Sequence, residues 1–289
     1  AIVQLLRKYA LVEPFGVETS LNTLGISLLI LATICIAAAG NIINDIYDVE
    51  TDFINKPDKL IIGKSISEKT AYNLFIIFNV TGVGIGFYLS NYVGRSAFFS
   101  IFVIISALLY VYASYLKQML IIGNVVISLL VALSLVVVGI FELLPGITSL
   151  NQQTQLTFFK IIFDYAVFAF IINLLREITK DIEDIDGDYK AGMNTLPIVI
   201  GRERAARILF VLSFIPLFII GYYVINSLYK NQLAVFYFLI LIIGPLTYTS
   251  IKLFNATTKK EFQHISNAYK LIMLFGMFSL LLYLFLLKK

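Results

Sequence analysis

The stretch N-I-I-N-D-I-Y-D-V-E-T-D at residues 41–52 carries three aspartates at the end of a long apolar run, and E-I-T-K-D-I-E-D-I-D-G-D at residues 177–188 repeats the arrangement. The spacing is the same in both stretches, and the aspartates are Asp45, Asp48 and Asp52, then Asp181, Asp184 and Asp188. On a helix, steps of three and seven residues turn about 300° and about 340°, so the three carboxylates of each stretch share one face. We therefore predict two facing acidic stripes on two helices.

The rest of the chain has the composition of a membrane protein. Of its 289 residues, 59% are hydrophobic and only 14% are charged, and the mean hydropathy is +0.89. These values exclude an ordinary soluble domain, and a span needs about 20 mostly apolar residues. We predict an all-α integral membrane protein, a single transmembrane domain over residues 1–289. The full spans are expected at 23–46, 68–90, 96–116, 121–143, 158–180, 205–228, 232–254 and 265–287.

A shorter apolar run at residues 1–13 predicts a ninth, truncated span. It already carries Arg7 and Lys8, and the chain begins with alanine, so we expect a few residues to precede it. The run lacks the small-residue cleavage site of a signal peptide, which favours a span over a targeting segment. Cys35 is the one cysteine of the sequence, so no internal disulfide is expected.

Basic residues indicate the orientation in the bilayer. The formal net charge is only +4, but with alternating spans most lysines and arginines fall on the side that also holds both aspartate stretches. Because positive loops stay inside, we predict a multi-pass protein of the cell membrane whose acidic stretches face the cytoplasm. The bases are scattered among acids and form no basic stripe, which argues against nucleic acid as a partner.

Carboxylates near a bilayer are costly unless they pair with cations, bind metal or line a wet cavity. Magnesium suits converging acids because it prefers oxygen ligands, keeps several waters and is held by one or two carboxylates plus phosphate. Two such ions between the stripes would clamp a diphosphate, and an amide oxygen one turn before Asp48 adds a neutral ligand. The predicted metal ligands are Asn44, Asp45, Asp48, Asp52, Asp181, Asp184 and Asp188. Those predicted to be essential for catalysis are Asp48, Asp52, Asp184 and Asp188.

Nearby cations fit the same interpretation, since a leaving diphosphate needs its charge neutralised. The predicted diphosphate-binding residues are Lys117, Lys190, Lys56, Lys59 and Arg176. Zinc binding and nucleophilic catalysis have little support, because the only histidine, His264, is expected in a loop before the last span.

Two simpler explanations exist for some of these residues. Acids at helix ends also occur as solvated caps, but two stretches of equal spacing beside lysines favour a site. Aromatic residues at the end of span 96–116 are interpreted as an interfacial belt, and they are Tyr110, Tyr112 and Tyr115.

At this point the chain resembles the UbiA superfamily of intramembrane prenyltransferases. The resemblance rests on N-D-x-x-D-x-x-x-D at 44–52, D-x-x-D-x-x-x-D at 181–188, and Lys117 shortly before Gly123, and it covers essentially the whole chain. It implies nine transmembrane helices around a central cavity. It also implies Mg²⁺-dependent ionisation of a polyprenyl diphosphate, in which an allylic cation forms and is attacked by an acceptor.

Within the superfamily, residues 176–198 are most similar to the digeranylgeranylglyceryl phosphate synthases. These enzymes join a geranylgeranyl chain to the free hydroxyl of geranylgeranylglyceryl phosphate, which implies the same donor and a lipid acceptor here. The loop after the first motif reads N-K-P-D-K at 55–59, where the family pattern is closer to N-R-P-x-R-P. Lysine in place of arginine loses bidentate phosphate binding. The arginine and asparagine of the family's first helix are not visible, and acceptor-binding residues stay unassigned.

Three other functions use membrane-embedded acids or the same donor. An aromatic prenyltransferase of quinone biosynthesis is the main alternative, with an aromatic acceptor in place of the lipid. A cation-coupled transporter is disfavoured because transporter sites lie near the midplane, whereas these acids lie at helix ends. A CDP-alcohol phosphotransferase is disfavoured because Ile185 stands where its D-x-x-D-G pattern needs glycine.

Overall fold

The structure is a computed structural model that describes residues 1–286, apart from the side chains of Lys59 and Leu286. Within this range the chain is helical and has no strand, and eight helices are long and apolar enough to cross a membrane. The predicted all-α membrane architecture is therefore confirmed. The truncated first span corresponds to a short helix α1 (Ile2–Leu6) that continues as a π-helical turn (Arg7–Val12).

The first half of the chain contains four of the eight long helices. Their bounds are α2 (Thr23–Tyr47) with its short extension α3 (Val49–Asn55), α4 (Glu68–Tyr92), α5 (Phe99–Ser114) and α6 (Ile122–Glu142). A buried apolar cluster joins α2, α4, α5 and α6, with Leu29, Leu89 and Phe141 at its centre. Gly86 lets α4 approach α5 closely, because a Cβ there would collide with the Phe102 ring.

The second half is arranged on one long helix. Its elements are α7 (Gln152–Lys190), α8 (Leu196–Ile200), α9 (Arg202–Leu212), α10 (Phe214–Tyr223), α11 (Gln232–Phe238), α12 (Gly244–Asn255), α13 (Lys259–Phe278) and α14 (Tyr283–Leu286). The helix α7 packs against both α6 and α13, and its last turns pack against α3. It thus connects the two halves and presents the second aspartate stretch to the first.

Two helices extend beyond the predicted spans. The helix α7 runs ten residues past the predicted end at 180, so the whole second aspartate stretch is helical. The helix α13 begins at Lys259 because Thr258 and Glu261 form a capping box. The expectation that His264 lies in a loop is therefore wrong: it is an exposed residue of α13, with Nε2 2.9 Å from the Tyr248 hydroxyl.

Candidate active site

The first aspartate stretch crosses the junction between α2 and α3. Asp48 lies at this junction with φ −92° and ψ 0°, yet helical hydrogen bonds continue through it, from Asp48 N to Asn44 O at 2.9 Å and from Asp52 N to Asp48 O at 2.8 Å. The backbone therefore keeps Asn44, Asp48 and Asp52 on one face of the helix. Asp48 is 5% exposed and Asp52 is partly buried, whereas Asp45 is exposed.

The second stretch forms the last turns of α7, which ends where Gly192 adopts a left-handed φ of 72°. Asp188 is buried, and Asp181 and Asp184 are partly buried. The three residues lie on one side of the helix, as their spacing predicts. This side faces the end of the first stretch.

Asn55 connects the two stretches directly. Its Nδ2 donates to the Asp184 carbonyl oxygen at 2.9 Å, and its Oδ1 accepts from the Gly187 amide at 3.1 Å. A Cβ at Gly187 would collide with the Asn55 side chain, so the close approach requires glycine. The sequence around Asn55 predicts only a turn after the first stretch, so this role of Asn55 was missed.

Two of the predicted cations contact the predicted carboxylates. Lys117, in the short loop between α5 and α6, forms an ion pair with Asp48 Oδ2. Lys56 Nζ lies 2.6 Å from Asp184 Oδ2. Asn44 Nδ2 donates to the same Asp48 oxygen at 2.5 Å. Each stripe is thus neutralised in part by one lysine.

The other predicted cations lie apart from these pairs. Lys190, the last residue of α7, is exposed, and the Lys59 side chain lies outside the described part of the structure. Arg176 Nη1 donates to Glu177 Oε1 at 2.5 Å, two turns before Asp184 on α7. The structure therefore brings Lys56 and Lys117 together at the aspartates but places Arg176 with a different acid.

A chain of buried polar groups between α6 and α7 supports Asp181. Asn124 Nδ2 donates to Asp181 Oδ2 at 2.8 Å, and Ser128 Oγ donates to the Asn124 carbonyl at 2.6 Å. Asn173 Nδ2 in turn donates to Ser128 Oγ at 3.2 Å. Because Asp181 already accepts from an amide, it is held in place by the protein itself.

Tyr112 differs from the belt residues with which it was grouped. Tyr110 and Tyr115 are 42% and 62% exposed, as expected of residues at a membrane boundary. Tyr112 is less exposed, and its hydroxyl interacts electrostatically with four acids, which are Glu177, Asp181, Asp48 and Asp188. Its place at the carboxylates depends on which side of α5 faces inward, which the aromatic pattern alone does not reveal.

The carboxylates influence one another's ionisation. Burial raises the pKa of Asp52 above its ordinary value, and the neighbouring Asp48 carboxylate raises it further. Lys56 and Lys117 oppose the shift. Asp52 thus lies in an environment that disfavours its own negative charge, which is the electrostatic condition in which an additional cation binds favourably.

The donor set fits magnesium bound together with phosphate oxygens. Among the described residues, no three acidic, histidine or cysteine side chains converge closely enough to hold an ion alone. Two buried oxygens without a hydrogen-bond partner in the described structure, Asn44 Oδ1 and Asp184 Oδ1, lie one on each stripe. Magnesium is commonly held by one or two carboxylates, waters and substrate phosphate, so the stripes match a metal–diphosphate complex better than a bare cation.

Comparison with known proteins agrees with this chemistry. Residues 15–273 match the UbiA prenyltransferase family. The digeranylgeranylglyceryl phosphate synthase of Methanosphaera stadtmanae is 31% identical over 258 residues, which cover 87% of this chain and 86% of that protein. The enzyme of the same name from Methanococcoides burtonii is 27% identical over 278 residues, which cover 96% and 91%.

The fold is also similar to solved structures. A UbiA homologue from Aeropyrum pernix aligns with a TM-score of 0.68 at 12% identity, covering 94% of this chain and 91% of the other. A UbiA homologue from Archaeoglobus fulgidus, bound to GPP and Mg²⁺, aligns with a TM-score of 0.57 at 19% identity, covering 97% and 96%. At these identities the likeness concerns the fold alone.

Proposed function

Because the chain belongs to the UbiA prenyltransferase family, and is a prenyltransferase, we propose that it transfers a geranylgeranyl group from its diphosphate to the free hydroxyl of geranylgeranylglyceryl phosphate. The main observation behind this proposal is the meeting of the two aspartate stretches, joined by Asn55 and Asp184. The relatives named digeranylgeranylglyceryl phosphate synthase support this choice of donor and acceptor. An aromatic acceptor has no comparable support.

The two stripes are proposed to hold Mg²⁺ and the diphosphate between them. When bound, Mg²⁺ would supply positive charge that stabilises the departing diphosphate as an allylic cation forms. The proposed direct ligands are Asn44, Asp48, Asp52, Asp184 and Asp188. Asp45 and Asp181 are proposed to order the surrounding water and side chains, since Asp45 is exposed and Asp181 accepts a hydrogen bond from Asn124.

The lysines are proposed to exchange partners when the donor binds. Lys117 and Lys56 form ion pairs with Asp48 and Asp184, and both lysine side chains keep about a quarter of their surface exposed. Their ammonium groups can therefore turn from the carboxylates to the phosphate oxygens, which would neutralise the leaving group. Lys190, exposed at the end of α7, is proposed to assist from the rim of the site. Lys59 is kept as a proposed diphosphate-binding residue on the sequence alone.

The carboxylate end of the helices is proposed to face the cytoplasm. Lysines and arginines concentrate in the loops at this end, as the positive-inside rule requires. Both substrates would then enter from the cytoplasmic side of the bilayer.

The experiment is a turnover assay on the full chain in lipid nanodiscs. Geranylgeranyl diphosphate is supplied with Mg²⁺ and either geranylgeranylglyceryl phosphate or an aromatic acid, while released diphosphate and prenylated product are measured. We expect prenylated product with the lipid acceptor. The turnover rate should fall by at least about a hundredfold in Asp48→Asn and in Asp184→Asn. Asp58→Asn, in the exposed loop after the first stretch, is the matched control and should retain activity. Absence of diphosphate release with every acceptor would refute the proposed reaction.

A further inference from the structure

A second charged cluster lies on α7, nearer the middle of the helix than the aspartates. Arg176 Nη1 donates to Glu177 Oε1 at 2.5 Å, and Lys180 Nζ donates to Glu177 Oε2 at 3.0 Å. Glu177 is 7% exposed, so two cations share one buried carboxylate. We call Arg176, Glu177 and Lys180 the inner triad.

Glu177, the shared carboxylate of the inner triad, lies on the same side of α7 as the aspartates. Glu177 precedes Asp184 by seven residues, so the two side chains lie within about 20° of each other around the helix and about 10 Å apart along it. Lys117, which pairs with Asp48, also interacts electrostatically with Glu177. A ligand bound at the aspartates would therefore have the inner triad directly beneath it.

The two clusters differ in the sign of their net charge. At the aspartates, the six acids of the two stripes face two lysines and leave an excess of negative charge, which suits metal ions. In the inner triad, two cations face one carboxylate and leave an excess of positive charge. Because an uncompensated charge within a membrane span is costly, the inner triad is suited to an anion rather than a metal.

The inner triad also has hydrogen-bond donors to offer. Arg176 Nε is buried and has no hydrogen-bond partner in residues 1–286, and the Lys180 side chain is 36% exposed. A guanidinium presents five N–H groups in a planar fork that matches phosphate oxygens. Together with an accessible ammonium, this arrangement is suited to a phosphate monoester.

We propose that Arg176 and Lys180, while they remain bound to Glu177, bind the phosphate of the acceptor lipid. The inference rests on the proposed function and assigns its acceptor site. In a glyceryl phosphate ether, the phosphate and the free hydroxyl are only a few bonds apart. A phosphate at the inner triad would therefore direct that hydroxyl toward the aspartates, where the allylic carbon of the donor is released. Two anions, diphosphate and phosphate, would thus occupy separate subsites on one helix.

Direct binding measurements test the proposal without requiring turnover. Calorimetric titration of the detergent-solubilised chain would use geranylgeranylglyceryl phosphate, uncharged geranylgeranylglycerol, and geranylgeranyl thiodiphosphate with Mg²⁺. Arg176→Gln and Lys180→Gln should each weaken binding of the phosphorylated acceptor by about tenfold to a hundredfold. Binding of the uncharged acceptor and of the thiodiphosphate should stay within about twofold of the wild type. Arg176→Lys keeps the positive charge and should therefore lose less affinity for the phosphorylated acceptor than Arg176→Gln.

Lys260→Gln is the matched control, because Lys260 is an exposed lysine at the same end of the helices. The inference would be overturned if the variants lost affinity equally for the phosphorylated and the uncharged acceptor, or if they bound the thiodiphosphate more weakly. It would also be overturned if the wild-type protein bound both acceptors with the same affinity. If Arg176→Gln does not fold, the binding measurements on Lys180→Gln test the inference by themselves. Phosphate-dependent binding through the inner triad without diphosphate release would support the inference and refute the proposed reaction. Turnover that is unchanged in both Arg176→Gln and Lys180→Gln would refute the inference and support the proposed reaction.

Discussion

Asn55 and Gly187 are joined across the two halves of the molecule, since the Gly187 amide donates to Asn55 Oδ1 at 3.1 Å while Asn55 Nδ2 donates to the Asp184 carbonyl at 2.9 Å. Lys259 Nζ, from α13, donates to the Asn55 carbonyl at 2.9 Å. One short polar side chain therefore sets the separation of the two aspartate stretches, and the adjoining backbone connects them to a third helix.

Asn55→Ala should separate the two stretches. The substitution removes two hydrogen bonds, each contributing about 0.5–1.5 kcal/mol, so the free energy of unfolding should fall by about 1–3 kcal/mol. Because the diphosphate site needs both stripes, kcat/KM for the donor should fall more than tenfold. Thermal unfolding in detergent and the turnover assay measure the two effects. The control is Asn91→Ala, since Asn91 is exposed and donates to a carbonyl on its own helix. An unchanged kcat/KM in Asn55→Ala would contradict the role of this contact.

Gly86→Ala should lower the stability of the protein, whereas Gly84→Ala should not. A Cβ at Gly86 would collide with the ring of Phe102, which is 2% exposed and packed against Phe141 at a centroid distance of 5.4 Å. Overpacking of this kind costs about 1–3 kcal/mol. At Gly84 a Cβ would meet nothing within 4 Å among the described atoms, so the better helix propensity of alanine should leave the protein unchanged or slightly more stable. The midpoints of thermal unfolding compare the pair, and equal midpoints would show that the α4–α5 contact is looser than described.

The membrane helices could be predicted because hydropathy is averaged over a whole span, and local errors cancel. Hydropathy missed the end of α7, since six of its last ten residues are charged although they remain helical up to Lys190. Hydropathy identifies the residues that lie in the apolar part of the bilayer. The helix itself continues beyond them until a residue favours another backbone conformation. Here that residue is Gly192, with a positive φ of 72°.

Residues of the site were predictable to the extent that helical spacing determines them. The aspartates of each stretch share a face, and Lys117 and Lys56 lie at the same end of the helices as the acids they contact. The pairing of Lys56 with Asp184 depends on how α3 packs on α7, and spacing within one helix carries no information about it. The contacts of Asn55 and the inward position of Tyr112 were missed for the same reason.

The raised pKa of Asp52 predicts how stability depends on pH. Between the ordinary aspartate value of about 4 and the raised value in the folded state, the folded protein binds more protons than the unfolded chain. Stability should therefore decrease as pH rises through this window. Asp52→Asn removes the penalty, so without Mg²⁺ it should unfold at a higher temperature than the wild type at pH 7, with the difference shrinking toward acid pH. Unfolding midpoints measured over a pH series in EDTA test this. A difference that grows toward acid pH would contradict the assigned environment of Asp52.

Lys117→Met should affect metal binding and turnover in opposite directions. Lys117 forms an ion pair with Asp48, which is 5% exposed, so its loss leaves a buried carboxylate available to a metal ion. Without the donor, Mg²⁺ should bind the variant more tightly than the wild type, since a competing cation has been removed. With the donor present, kcat should fall about tenfold to a thousandfold because the leaving diphosphate loses a neutralising ammonium. Titration calorimetry and the turnover assay measure the two effects, with Lys69→Met, an exposed lysine of α4, as control. Weaker Mg²⁺ binding in Lys117→Met would mean that the lysine organises the metal site rather than competing for it.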